Sequence, residues 1–193
     1  MHHTSASRAP LRQCGYPKSI QEVTDHMQNQ CRIGHGWDLH LLAPTGPDGE
    51  GRPLRLGGVL LEHSKGPVAH SDGDALLHAV TDALLGAIGA PDIGQLFPDK
   101  DPTNENTDSA VFLAEACRRM THAQWRLSNL DATVICQQPR IGPYVESIKA
   151  HLATLLDCAV DQINIKGKTH EGVDAVGEER AIEVHVVALL CRC

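Results

Sequence analysis

Aromatic side chains are scarce in this sequence, with two each of Trp, Tyr and Phe among 193 residues. The scarcity leaves the core to Leu, Val, Ile and Ala. It also argues against a stacking platform for single-stranded nucleic acid. An excess of positive charge is missing too. Lys and Arg number 17 against 24 Asp and Glu, a net charge of −7. That balance argues against binding a phosphate backbone as the main task, while leaving room for a local basic pocket. No apolar run approaches the roughly 18 residues of a membrane span, and the N-terminus has no apolar segment of the secretory kind. The seven Cys, at 14, 31, 117, 136, 158, 191 and 193, are odd in number, scattered and without a CxxC pair. They read as reduced thiols in a cytoplasmic protein, not as a disulfide framework; Cys191 and Cys193 are read as buried or idle, with metal binding as the alternative.

What remains is one domain's worth of chain, 41% hydrophobic, with twelve His. Residues 1–31 are polar and unpatterned and are expected to form a poorly ordered extension. Ser5, Ser7 and Arg8 raise the alternative of a plastid transit peptide, against which Glu22 and Asp25 weigh. A short helix is expected over Gln21–Gln30. The domain proper is expected at 32–193.

Arg32–Leu42 reads as a strand interrupted by glycines, and Leu54–Leu61 as a hairpin turning at Gly57-Gly58. Ser64–Gly73 reads as a loop. Asp72–Ala90 is the clearest helix. Ser71 or Asp72 is its expected cap, and Leu76, Val80, Ala83, Leu84 and Ala87 form one apolar stripe. Asp74, His78 and Asp82 recur at every fourth residue on the opposite side, and Gly89 and Pro91 end the element. An acidic loop (91–106) leads to a second helix over Asp108–Thr121, with Val111, Leu113, Ala114 and Cys117 expected inward. A strand at Trp125–Gln137, a helix at Ile141–Leu156 and strands at Ile163–Lys166 and Ala181–Leu190 complete the chain. This order predicts an α/β domain of the α+β sandwich type, with one sheet and its helices packed on one face.

Two features carry chemistry. Asp38 and His40 stand on the same face of a strand, about 7 Å apart at the backbone, a workable spacing for two ligands of one metal. Alone, the pattern equally describes a solvated strand pair. The segment His70-Ser71-Asp72-Gly73-Asp74 is followed by His78 on the polar side of its helix. Asp38, His40 and His78 together would make a site of three protein ligands with one open position, the catalytic arrangement of zinc. Asp82 is either an outer partner of His78 or a solvated acid.

Four ordered motifs bear a strong likeness to one enzyme family. These are Ile33-Gly34-His35-Gly36-Trp37-Asp38-Leu39-His40, Ala69-His70-Ser71-Asp72-Gly73-Asp74, Leu77-His78-Ala79 and Asp92-Ile93-Gly94-Gln95-Leu96-Phe97-Pro98-Asp99. In them the chain resembles 2-C-methyl-D-erythritol 2,4-cyclodiphosphate synthases of the non-mevalonate route to isoprenoids, from about Arg32 to Leu190. The resemblance implies a homotrimer, with the sheets of three subunits facing a three-fold axis and active sites between neighbours. It implies zinc on Asp38, His40 and His78, and Mg²⁺ or Mn²⁺ bound through Glu171 with the substrate diphosphate. The implied substrate is 4-diphosphocytidyl-2-C-methyl-D-erythritol 2-phosphate. Its 2-phosphate attacks the β-phosphorus, closes a cyclic diphosphate and expels CMP. No nucleic acid or membrane partner is implied.

The same resemblance gives roles to other positions. His70 and Thr169 match the pair that stabilises the transition state, and Ser71 the substrate-phosphate loop. Asp92, Ile93 and Gly94, then Phe97, Pro98, Asp99, Lys100 and Asp101, match the segments that hold the methylerythritol and its 2-phosphate. Cys136, Gln137, Gln138 and Pro139, with Arg140, Ile141 and Gly142, match the cytidine-diphosphate segment. Lys168 and His170 lie in the segment that closes over the nucleotide phosphates, and Ala175 packs near the ligand.

Three departures stand out. Lys168-Thr169-His170-Glu171 replaces the common Thr-Thr-Thr-Glu, Ala175 replaces a larger residue, and Gly177-Glu178-Glu179-Arg180 replaces Gly-Arg-Gly-Glu. The last puts Glu178 where the resemblance expects Arg and weakens the expectation of anion binding on the axis. Two other readings compete. A zinc phosphohydrolase would release linear phosphates. A non-catalytic trimer binding zinc and an isoprenoid diphosphate would need the missing axial cation.

Overall fold

The computed structural model describes residues 30–98 and 100–193, so residues 1–29 of the expected extension, with all of its short helix but Gln30, lie outside the described residues, while Cys31 already opens the first strand. Strand β1 (Cys31–Pro44) is followed by a hairpin of β2 (Arg55–Leu56) and β3 (Val59–Leu60), then by β4 (Lys65–Pro67). Helices α1 (Ala75–Ile88), α2 (Ile93–Leu96) and α3 (Ser109–His122) precede β5 (Trp125–Ile135). Helix α4 (Val145–Leu156), β6 (Ile163–Lys168), the short α5 (Asp174–Gly177) and β7 (Ala181–Arg192) complete the described chain. Five strands form one sheet in the order β4-β1-β7-β5-β6, in which only β5 and β6 run parallel. The α/β class is as expected, while β2 and β3 pair with each other as a separate two-stranded sheet outside the main one. Among the described residues no helix is long and apolar enough to cross a membrane.

One face of the sheet carries the core. Val184, Val186, Ala188 and Leu190 of β7 and Leu130, Ala132 and Val134 of β5 point into it and are buried. Helix α1 lies across β1 and β7 on that face. The opposite face leaves Ile33, Trp37, Leu39 and Leu41 of β1 and Val187 of β7 exposed.

The glycines of β1 have a specific cause. A Cβ on Gly34 would stand 1.8 Å from the Ala83 carbonyl oxygen, and one on Gly36 the same distance from that of Ala79. Strand and helix therefore touch main chain to main chain. Gly36→Ala is expected to destabilise the fold by about 3 kcal/mol or more, because rigid backbone cannot yield as a side chain can. Urea unfolding measures this.

Several boundaries differ from the sequence reading. Helix α1 begins at Ala75, and its cap is Asp74, whose carboxylate accepts from Leu77 N–H. Asp74 does not belong to a polar face. It is fully buried and also accepts from the N–H groups of Gly57 (2.9 Å) and Gly58 (2.6 Å), tying the hairpin turn to the helix. Burial raises its pKa against the pull of those three amides. Gly89 ends the helix in the left-handed conformation (φ 71°) expected of it. The 64–73 loop contains β4, paired antiparallel to the end of β1, and the acidic loop contains α2. In α3, Val111 and Ala114 face solvent, while Ser109, Phe112, Leu113, Ala116 and Met120 are buried. The 141–156 helix opens with a separate tight turn at Gly142–Tyr144.

Candidate active site

Asp38 and His40 project from β1 on the face that α1 covers, and His78 projects from the first turns of α1 towards them. One ligand atom from each lies within 4.8 Å of the other two. Asp38 Oδ2 is 3.2 Å from His78 Nδ1 and 3.6 Å from His40 Nε2. His40 Nδ1 donates to the Leu39 carbonyl at 3.0 Å. A carbonyl can only accept, so the Nε2 lone pair of His40 is free. That atom is buried with no hydrogen-bond partner. An orphaned imidazole nitrogen, a second imidazole and a carboxylate converging on one point form a mixed N and O donor set that fits zinc. Burial works against the charged form of His78, but hydrogen bonding to Asp38 and the charges of Asp38, Asp74 and Asp72 outweigh it and raise its pKa.

The three ligands open into a cleft of about 320 Å³ that His70, Ser71, Ile93, Gly94 and Phe97 also line. Val68, Ala69, Asn104 and Phe112 complete its wall. Ala69 opens one of the motifs quoted above; Val68, Asn104 and Phe112 were not singled out in the sequence, since only the folded chain brings them here. Phe112 packs on Phe97 with ring centres 4.6 Å apart and the rings tilted by 44°, and its ring lies 5.9 Å from that of His78.

Asp92 caps α2, accepting from Gln95 N at 2.8 Å. Asp101 accepts from Thr103 N at 3.0 Å. Lys100 is exposed and Asp99 lies outside the described residues. Asp82, considered above as an outer partner of His78, accepts from the Ile93 N–H at 2.8 Å and so fixes α2 at the cleft. Burial raises its pKa.

A second cleft, of about 440 Å³, gathers Cys136, Arg140, Ile141, Gly142, Lys168, Thr169 and Glu171. Thr169 Oγ1 donates to Glu171 Oε1 at 2.9 Å, and His170 Nδ1 pairs with Asp174 Oδ2 at 2.9 Å. Burial pushes the Cys136 thiol up to about 11, and its Sγ donates to the Gln138 carbonyl at 2.7 Å. Gln137, Gln138 and Pro139 do not line this cleft, and neither does Ala175. The two clefts share no lining residue. The register Asp38–Val184–Val134–Gly167 puts three strand spacings between them, about 14 Å. Arg180, close to Glu178, pairs with that carboxylate at 2.6 and 2.8 Å, and both side chains are exposed.

The sequence pattern of the YgbB family matches residues 31–191. A rice protein named 2-C-methyl-D-erythritol 2,4-cyclodiphosphate synthase, chloroplastic, is 52% identical over 161 residues, which are 83% of this chain and 70% of that protein. A synthase of the same name from Bordetella avium is 49% identical over 83% of this chain and 96% of its own. Among solved structures, IspF of Plasmodium falciparum in complex with CDP superposes with a TM-score of 0.74 at 36% identity, covering 85% of this chain and 97% of that one.

Proposed function

We propose, from the premise that this chain belongs to the YgbB family, that it converts 4-diphosphocytidyl-2-C-methyl-D-erythritol 2-phosphate to 2-C-methyl-D-erythritol 2,4-cyclodiphosphate and CMP. It is then a phosphorus–oxygen lyase of the non-mevalonate route. The observation that carries this reading is the convergence of Asp38, His40 and His78 within 4.8 Å at a cleft that His70 and Ser71 also line.

The reaction needs no general base, because the attacking 2-phosphate is already ionised. Its oxygen bonds to the β-phosphorus while the bond from that phosphorus to the α–β bridging oxygen breaks. CMP leaves with the bridging oxygen and no water is consumed. The barrier lies in bringing anion to anion, so positioning and charge neutralisation carry the catalysis.

Asp38, His40 and His78 would hold zinc, which supplies Lewis acidity at a β-phosphate oxygen. Glu171 would hold a second divalent cation, Mg²⁺ or Mn²⁺, at the diphosphate. We assign His70 and Thr169 to the two sides of the transferring phosphoryl group. Asp92, Ile93, Gly94 and Phe97 to Asp101 go to the methylerythritol phosphate, and Cys136 to Gly142 to the cytidine diphosphate.

Arg140 and Lys168 are exposed cations in the second cleft and are assigned to the nucleotide phosphates. Arg140→Ala is expected to weaken CDP binding about tenfold, the value of one charge-assisted contact, and to leave zinc affinity unchanged. Calorimetric titration with CDP measures it.

The 14 Å between the clefts within one chain favours a site completed by a neighbouring copy, and the uncovered sheet face is the surface we assign to that contact in a homotrimer. A cytoplasmic location belongs to this proposal, with the plastid as the alternative that the rice relative's printed name favours.

Phosphorus NMR of the protein with the diphosphocytidyl substrate, Zn²⁺ and Mg²⁺ tests the reading. A cyclic diphosphate with one CMP per turnover is the expected result. Linear phosphates would replace it with a zinc phosphohydrolase, and binding without turnover would replace it with a regulatory module.

A further inference from the structure

We propose that Ser109 and Asp72 are positioning residues that anchor the Nε2–H of His78 and so turn its Nδ1 lone pair to the metal. The proposal rests on the reading that Asp38, His40 and His78 hold zinc. Ser109, the first residue of α3, is fully buried. Its Oγ lies 2.8 Å from His78 Nε2 and on its other side donates to Asp72 Oδ1. A carboxylate has no proton to give, so the hydroxyl hydrogen goes to Asp72 and the Ser109 oxygen can only accept from the imidazole. Nε2 therefore keeps its hydrogen, and Nδ1, which pairs with Asp38 Oδ2 at 3.2 Å, is the nitrogen that would give up its proton to ligate the metal.

Asp72 is itself fixed. Its carboxylate accepts from Asp74 N at 3.2 Å and Ser109 N at 3.3 Å, and its own N–H donates to the Thr107 carbonyl at 3.1 Å. Ser71 Oγ, at 3.2 Å from the same Nε2, accepts from Gly73 N and is the longer, secondary contact. The relay has its counterpart at His40, where the Leu39 carbonyl does for Nδ1–H what Ser109 does for Nε2–H. Each imidazole is thus oriented by an acceptor behind it, the arrangement that fixes tautomer and basicity in metal-ligating histidines.

The test uses the full chain and two readouts besides turnover. Zinc affinity is measured by competition with a chelating dye, and the ring nitrogens of His78 are followed by ¹⁵N NMR in the zinc-loaded protein. Wild-type protein is expected to show zinc on Nδ1 and an Nε2–H protected from solvent exchange. Ser109→Ala is expected to lose that protection and 10–100-fold of zinc affinity, on the scale set by outer-sphere partners. Asp72→Asn, which keeps the volume, is expected to fall between the two. Zinc on Nε2 in the wild type would overturn the proposal without recourse to any variant. So would unchanged affinity in Ser109→Ala. Wild-type protein binding zinc no better than Asp38→Asn would overturn the zinc reading, and this proposal with it.

Discussion

Asp38→Asn is expected to lose its zinc and to cut CMP formation by about 10³-fold or more, the scale on which preorganised charge stabilisation acts in such reactions. Asp38 Oδ2 lies within 3.6 Å of both imidazoles and is the one anionic donor of the three. Asn has nearly the same volume, so the pairing of β1 with β7 at Asp38 and Val184 should persist. What changes is charge. The amide is a poor zinc ligand, and its N–H₂ presents hydrogen to a point where two imidazole lone pairs already converge. Metal analysis of the purified variant and chromatography of CMP give the two numbers. A variant that turned over at the wild-type rate with no zinc would sink the role given to the three ligands.

The second large effect is expected at Leu41→Asp. Leu41 is 52% exposed on the uncovered face of the sheet, near Leu39 and Trp37, so little packing within the chain depends on it. If that face is where copies meet, a buried carboxylate there has no partner and carries a heavy desolvation cost. The variant should run as single chains in light scattering, against three for the wild type. Its activity should fall at least about 100-fold, since positioning across the two clefts is lost with the neighbour. Variant trimers with full activity would show that the contact lies elsewhere.

Much of this was legible in the sequence, for reasons that differ by element. The two-residue period of a strand put Asp38 and His40 on one face before any fold was known. The helix stripe of α1 and its stop at Gly89 followed from local rules. His78 was different. Its helix was plain, but that the helix crosses β1 at Asp38 came from the family resemblance and not from periodicity.

The misreadings share a cause, which is contact between residues distant in the chain. Lys65-Gly66-Pro67 has no strand propensity and becomes β4 because the end of β1 offers it a partner. Val111 and Ala114 gave a plausible apolar stripe. Helix α3 is instead turned so that Phe112 meets Phe97 and Ser109 meets His78. Asp74 looked like one of a row of carboxylates, but its partners are the amides of a hairpin turn sixteen and seventeen residues away. Nothing local in the sequence marks Ser109 as more than a helix start.

The bare backbone at Gly34 and Gly36 bears on which cation the protein keeps. Two ligands stand on β1 and one on α1, and where those elements cross nothing but main chain separates them. That contact fixes the backbone positions from which the three side chains reach. It keeps the three donors within 4.8 Å of one another, which suits an ion bonded at about 2.0–2.2 Å. An ion that needs about 2.3–2.6 Å and six or more oxygens, as calcium does, would have to lever helix from strand to be accommodated. If Asp38, His40 and His78 hold the zinc proposed for them, discrimination by ionic size would be delegated to two residues that never touch the ion.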